Sequence, residues 1–116
     1  MNYNLEERTS TFSGNLIDFL KKNQKNNFVF PLINQCLRAG TSIGANYMEA
    51  NGASSKKDFK NKIYICKKEA KETTYWLKLI IKVIEEKDLI DNCDKLIKEA
   101  HELTLIFSKI AGSCSE

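Results

Sequence analysis

Apolar residues recur along this chain at helical spacing, and four such runs can be traced. In the first, Leu5, Phe12, Leu16, Phe19 and Leu20 fall on one face when each residue is turned by about 100°. Asn4 stands where a helix cap is expected, with Glu7 three residues on, so a helix over 5–22 is predicted, followed by an Asn-rich connection from Asn23 to Asn27. Pro31 suits the first turn of a second helix over 30–51, where its missing N–H costs nothing. That helix carries two adjacent apolar stripes. Leu32, Cys36, Ala39, Ile43, Tyr47 and Ala50 form one; Ile33, Leu37, Gly40, Gly44 and Met48 form the other.

Each of Gly40 and Gly44 should cost roughly 1 kcal/mol relative to alanine inside a helix, so their four-residue spacing points to a close approach by a neighbouring backbone. Asn51-Gly52 then supplies a stop, with Gly52 expected in the left-handed conformation. Ser55 followed by Asp58 caps a third predicted helix over 56–86, about 45 Å long. Its core stripe is Phe59, Ile63, Cys66, Ala70, Thr73, Leu77, Ile80 and Ile84. Asp91 is the expected cap of a fourth helix over 92–111, with Leu96, Ala100, Leu103, Phe107, Ile110 and Ala111 inward, Gly112 closing it and a fraying tail from Ser113 to Glu116. The expected fold is one all-α, antiparallel up-down four-helix bundle.

The third helix has two further faces. Ile65, Trp76, Leu79 and Val83 lie well round from the core stripe, more apolar surface than a monomeric bundle needs, and the expectation is an oligomer interface anchored by Trp76. On the other flank Lys56, Lys60, Lys67, Lys71, Lys78 and Lys82 keep within about an 80° arc. Such a row can track a phosphate backbone or simply be a solvated face. Between helices two and three, Arg38, Ser42, Asn46 and Glu49 occupy a narrow polar edge, and with Glu69 and Glu72 they are expected to form a structural hydrogen-bond network.

Composition narrows the class. Of the 116 residues 42% are hydrophobic, with five Gly and a single Pro, which argues against disorder and against a turn-rich β fold. The N-terminus carries Asn4, Glu6, Glu7 and Arg8 where a secretory signal would be apolar, and no apolar run approaches about 20 residues, so a soluble intracellular protein with no membrane partner is expected. The formal charge of +3 is uneven. Ser54 to Lys82 holds nine Lys against three acids, and Val83 to Glu116 four Lys against eight acids. Either a polar partner or internal pairing, with acids such as Asp91, Asp94, Glu99 and Glu102 meeting the lysines, would account for this.

Chemistry is not apparent. Cys36, Cys66, Cys93 and Cys114 lack metal-ligand spacing and read as reduced structural thiols; His101, the single histidine, has no Glu-x-x-His context and falls on a polar face. No phosphate-cradling glycine loop occurs, because Gly40 and Gly44 lack the Gly-Lys-Ser/Thr that would follow. No enzyme, metal or cofactor is expected.

The run Arg38-Ala39-Gly40-Thr41-Ser42-Ile43-Gly44-Ala45-Asn46-Tyr47-Met48-Glu49-Ala50, with Asp58-Phe59, Lys68-Glu69-Ala70 and Glu72-Thr73-Thr74-Tyr75-Trp76-Leu77, resembles the bacterial proteins encoded within intervening sequences of 23S ribosomal RNA genes. The resemblance spans about residues 8–111, with alanine at position 39 where the family usually has serine. It implies a cytoplasmic ring, a homopentamer, with ribosomal RNA as the inferred partner. A related and more basic branch implies a second possibility, a protein-interaction scaffold serving as accessory to a retroelement reverse transcriptase.

Overall fold

The computed structural model describes residues 4–23 and 27–114. Within them the chain forms four helices and a short 3-10 turn: α1 (Leu5–Lys21), α2 (Phe30–Asn51), α3 (Lys56–Ile80), the turn Ile81–Val83, and α4 (Lys87–Ser113). The described residues contain no strand. α1 packs on α2, α2 on α3 and α3 on α4, and α4 also meets α1, closing a bundle of 46 × 23 × 20 Å. Part of the expected Asn23–Asn27 connection and the last two residues of the tail lie outside the described residues.

The core is the set of inward stripes. Phe12, Leu16 and Phe19 of α1, Ile43 of α2, Ile63, Leu77 and Ile80 of α3, and Leu103 and Phe107 of α4 are its largest fully buried side chains. Burial of such side chains contributes roughly 1.5–3 kcal/mol each. Tyr47 joins this core from α2, its ring tilted against Phe107 at 5.9 Å. Two buried thiols tie helices together as well: Cys66 Sγ donates to the Ile43 carbonyl and Cys93 Sγ to the Leu77 carbonyl, both at 3.5 Å.

Gly40 and Gly44 both turn toward α1, where Leu16 and Thr9 occupy the space a side chain would need. The second α2 stripe is therefore only partly interior. Ile33 and Gly40 are buried, whereas Leu37 and Met48 stay exposed. Thr9, outside the expected stripe of α1, is buried too and satisfies its hydroxyl by donating to Leu5 O at 2.7 Å.

Several local expectations are corrected. Asn4 adopts the left-handed conformation at φ 53°, and its amide reaches the Glu7 carboxylate at 3.4 Å rather than capping a backbone N–H. Gly52 ends α2 at φ −96°, so this turn closes through Gly52 N–H to Glu49 O (3.1 Å) without positive φ. Ser55 does cap α3, accepting from Asp58 N–H at 3.1 Å. α3, however, stops at Ile80 instead of continuing to residue 86, and Ile84 is extended. Ile80, Ile81, Val83 and Ile84 are β-branched, and such a cluster disfavours helix. α4 begins earlier than expected, at Lys87, because Leu89 extends its inward stripe back from Cys93 and Leu96; Asp91 lies inside the helix, and so does Gly112.

Candidate nucleic-acid interface

The seam between α2 and α3 determines which charges remain available on α3. Arg38 Nη2 donates to Glu72 Oε2 at 2.7 Å, and Nη1 donates to Glu69 Oε2 at 3.2 Å. Glu69 is 7% exposed, and its desolvation pushes the carboxyl above the ordinary carboxylate range; Glu72, held by the Arg38 hydrogen bond, lies below it. In the last turn of α2, Glu49 accepts from Lys62 Nζ at 2.8 Å. Sequence reasoning missed Lys62 as a member of this seam. Ser42 and Asn46 are not bridges: Asn46 Nδ2 bonds the Ser42 carbonyl of its own helix at 2.9 Å.

Glu69 and Glu72, the acids of α3 nearest the lysine flank, are thus drawn to Arg38. Among the described residues, none of Lys56, Lys60, Lys67, Lys71, Lys78 and Lys82 enters an ion pair. Among the described residues the paired acid of α4 is Glu99, which grips Arg8 of α1 at 2.7 and 2.8 Å and not a lysine of α3. Lys56, Lys71, Lys78 and Lys82 are exposed, and Lys60 and Lys67 half-buried. The row is shorter than expected, since Lys82 sits on the 3-10 turn beyond α3. Beside Lys78 a groove of about 500 Å³ runs between α3 and α4, with Thr74 and Ile97 in it and Lys98, His101 and Glu102 at its α4 side.

Two aromatic residues on this flank were not singled out in the sequence. Tyr64 and Tyr75 are 44% and 56% exposed. Lys60 Nζ lies 5.8 Å from the Tyr64 ring centroid, and Tyr75 meets Trp76 edge to face at 5.1 Å. The available signal was their spacing. Each stands four residues after a lysine of the row, Lys60 and Lys71.

The apolar stripe lies on the flank of α3 nearer α2. Ile65, Trp76 and Leu79 are half-buried, and Trp76 packs on the core of its own chain. Val83 is exposed but belongs to the 3-10 turn, so the stripe does not continue as one helical face. The Trp76 indole N–H is shielded from solvent and has no hydrogen-bond partner among the described residues.

Other features offer little. A cleft of about 600 Å³ between α1 and α4 is lined by Arg8 and Glu99, which satisfy each other. Burial pushes the thiols of Cys36, Cys66 and Cys93 up to about 12, far from the thiolate form a nucleophile or metal ligand needs. Among the described residues no cluster of His, Cys, Asp and Glu could hold a metal ion, and no helix is long and apolar enough to cross a membrane.

Residues 3–109 match the family model described as 23S rRNA-intervening sequence protein. The chain is also similar to a solved structure from Bacteroides thetaiotaomicron, described as a protein of unknown function from the S23 ribosomal protein family. The two are 34% identical, with 91% of this chain and 96% of that one covered and a TM-score of 0.78. No curated protein matches the chain.

Proposed function

Since the chain belongs to the 23S rRNA-intervening sequence protein family, we propose that it is a non-enzymatic, oligomeric, antiparallel up-down bundle that binds RNA, ribosomal RNA first, through the lysine row of α3. The observation that carries this reading is the separation of charge across α3. Arg38 withdraws Glu69 and Glu72 to one flank, and the lysines on the other flank stay unpaired among the described residues. Unpaired cations ranked along a helix bind a polyanion by releasing its condensed counterions.

Assembly fits the same geometry. The half-buried stripe of Ile65, Trp76 and Leu79 is on the α2 side of α3, so a cytoplasmic homopentameric ring built through it leaves the lysine flank free. Catalysis has no part in this reading: His101 is exposed on α4, and three of the four thiols are buried.

The test is a salt titration of binding to a structured fragment of ribosomal RNA. Affinity should fall linearly on logarithmic axes, with a slope of roughly −0.7 to −0.9 for each phosphate neutralised. Alanine at Lys60, Lys67 and Lys71 together should make that slope shallower by about 2. Absence of binding at low salt would overturn the proposal, and binding to a protein partner in its place would favour the scaffold reading.

A further inference from the structure

We infer that the lysine flank of α3 takes unpaired RNA rather than duplex, with bases stacked on Tyr64 and Tyr75 while the intervening lysines hold phosphates. The inference rests on the RNA-binding reading above and specifies the form of its ligand.

Both rings are placed where a packed bundle has no use for them. Tyr64 and Tyr75 are 44% and 56% exposed, although the same helix buries Ile63, Cys66 and Leu77 completely. Eleven residues separate them, three helical turns, so they project from nearly the same strip of α3 about 16 Å apart along its axis. Lys67, Lys68 and Lys71 fall between the two rings, and Lys78 lies one turn beyond Tyr75. The carboxylates that would repel a strand there, Glu69 and Glu72, are turned away to Arg38.

Neither ring hangs loosely. Lys60 sits over Tyr64, and Trp76 braces Tyr75 edge to face with an interplanar angle of 71°. Restraint of this kind lowers the entropy lost when a base stacks. Aromatic platforms alternating with cations are suited to single strands, because every base has a π-face to offer and the backbone follows the charges. A duplex hides those faces in its own stack and presents phosphates and 2′-hydroxyls, which the lysines alone could engage.

The experiment compares an unstructured single-stranded RNA of about 15 nucleotides with the same strand paired to its complement, by fluorescence anisotropy at fixed salt. Wild type should bind the single strand more tightly. Tyr64→Leu and Tyr75→Leu should each weaken that binding by about tenfold, on the order of one base–aromatic stack, and leave duplex binding unchanged. Tyr64→Phe and Tyr75→Phe, which keep the ring, should bind as wild type, and this guards against a loss caused by misfolding. If the leucine variants bind the single strand like wild type while Lys60→Ala and Lys71→Ala weaken both ligands, the stacking inference falls and the phosphate-binding reading stands. If wild type binds neither RNA at low salt, both fall.

Discussion

Gly40 of α2 faces Leu16 of α1 with no room for a methyl group between them: a Cβ at Gly40 would overlap Leu16 Cδ2. Leu16 is fully buried and cannot swing aside freely. Gly44 is tight in a milder way, its Cβ position 3.2 Å from Thr9 Oγ1, and exposed Gly14 of α1 has nothing within 4 Å. Three helical glycines thus share the same propensity deficit and differ in space. Gly14→Ala should stabilise by about 0.5–1 kcal/mol. Gly44→Ala should be near neutral. Gly40→Ala should destabilise by about 1–2 kcal/mol, because overpacking outweighs the propensity gain. Urea unfolding of the three variants gives the order directly; a stabilised Gly40→Ala would remove close approach as the reason for that glycine.

What could be read in advance divides along a physical line. The stripes from Leu5 to Leu20 and from Leu96 to Ala111 record burial, and periodicity reports burial well. The junction of α3 and α4 is hidden because Ile80 and Ile84 continue the core stripe and Val83 the second apolar face, whereas the β-branching of Ile80, Ile81, Val83 and Ile84 favours the extended conformation found at Ile84. The left-handed Gly52 was inferred from its residue type, but the loop closes at negative φ. At the candidate interface the lysine row was visible as spacing. The withdrawal of Glu69 and Glu72 by Arg38, the Lys62–Glu49 pair and the exposure of Tyr64 and Tyr75 depend on how α2 and α3 are rotated about their axes, which spacing along one helix does not encode.

Glu69 and Glu72 share Arg38 yet respond to pH in opposite directions. The folded-state pKa of Glu72 is lowered from 4.5, chiefly by the Arg38 hydrogen bond, so its contribution is present above that value and is lost as pH falls through the lowered one. The pKa of Glu69 is raised from 4.5, chiefly by desolvation, so ionising it costs stability as pH climbs from 4.5 through the raised value. Glu72→Gln should lower stability at pH 7 by no more than about 1 kcal/mol, given how exposed Arg38 is, and should flatten the decline below pH 4.5. Glu69→Gln should be neutral or stabilising at pH 7. Urea midpoints from pH 3 to 8 decide the matter; equal destabilisation by both variants would contradict the assignment.

The four cysteines should separate cleanly by reactivity. Cys36, Cys66 and Cys93 are fully buried with thiols pushed up to about 12, and Cys114, past the end of α4, is half-buried. A thiol must be both reached and deprotonated to react. Under native conditions at pH 8, a disulfide reagent should titrate one thiol quickly and the remaining three only after denaturant is added. Cys114→Ser should abolish the fast phase; more than one fast thiol would mean that the core opens more readily than its packing implies.

Assembly is exposed to a test that spares the core. Trp76 is half-buried and packed on its own chain, so Trp76→Ala weakens the bundle as well as any interface. Val83 is 38% exposed on the 3-10 turn that follows α3, and a carboxylate there alters the outer surface with little effect on the fold. If copies meet along the stripe of Ile65, Trp76 and Leu79 and the contact runs on over the 3-10 turn, Val83→Asp places an unpaired charge in an apolar contact, which is costly to bury. Wild type should scatter light at micromolar concentration with a mass several times the 13.3 kDa of one chain. Val83→Asp should shift that mass toward one chain while keeping the helical circular dichroism and urea midpoint of its dissociated parent. The single tryptophan supplies a second readout, because dilution that separates the copies should wet its indole and move the emission to longer wavelength. A monomeric wild type would refute the ring, and an unchanged mass for Val83→Asp would place the contact elsewhere on the bundle.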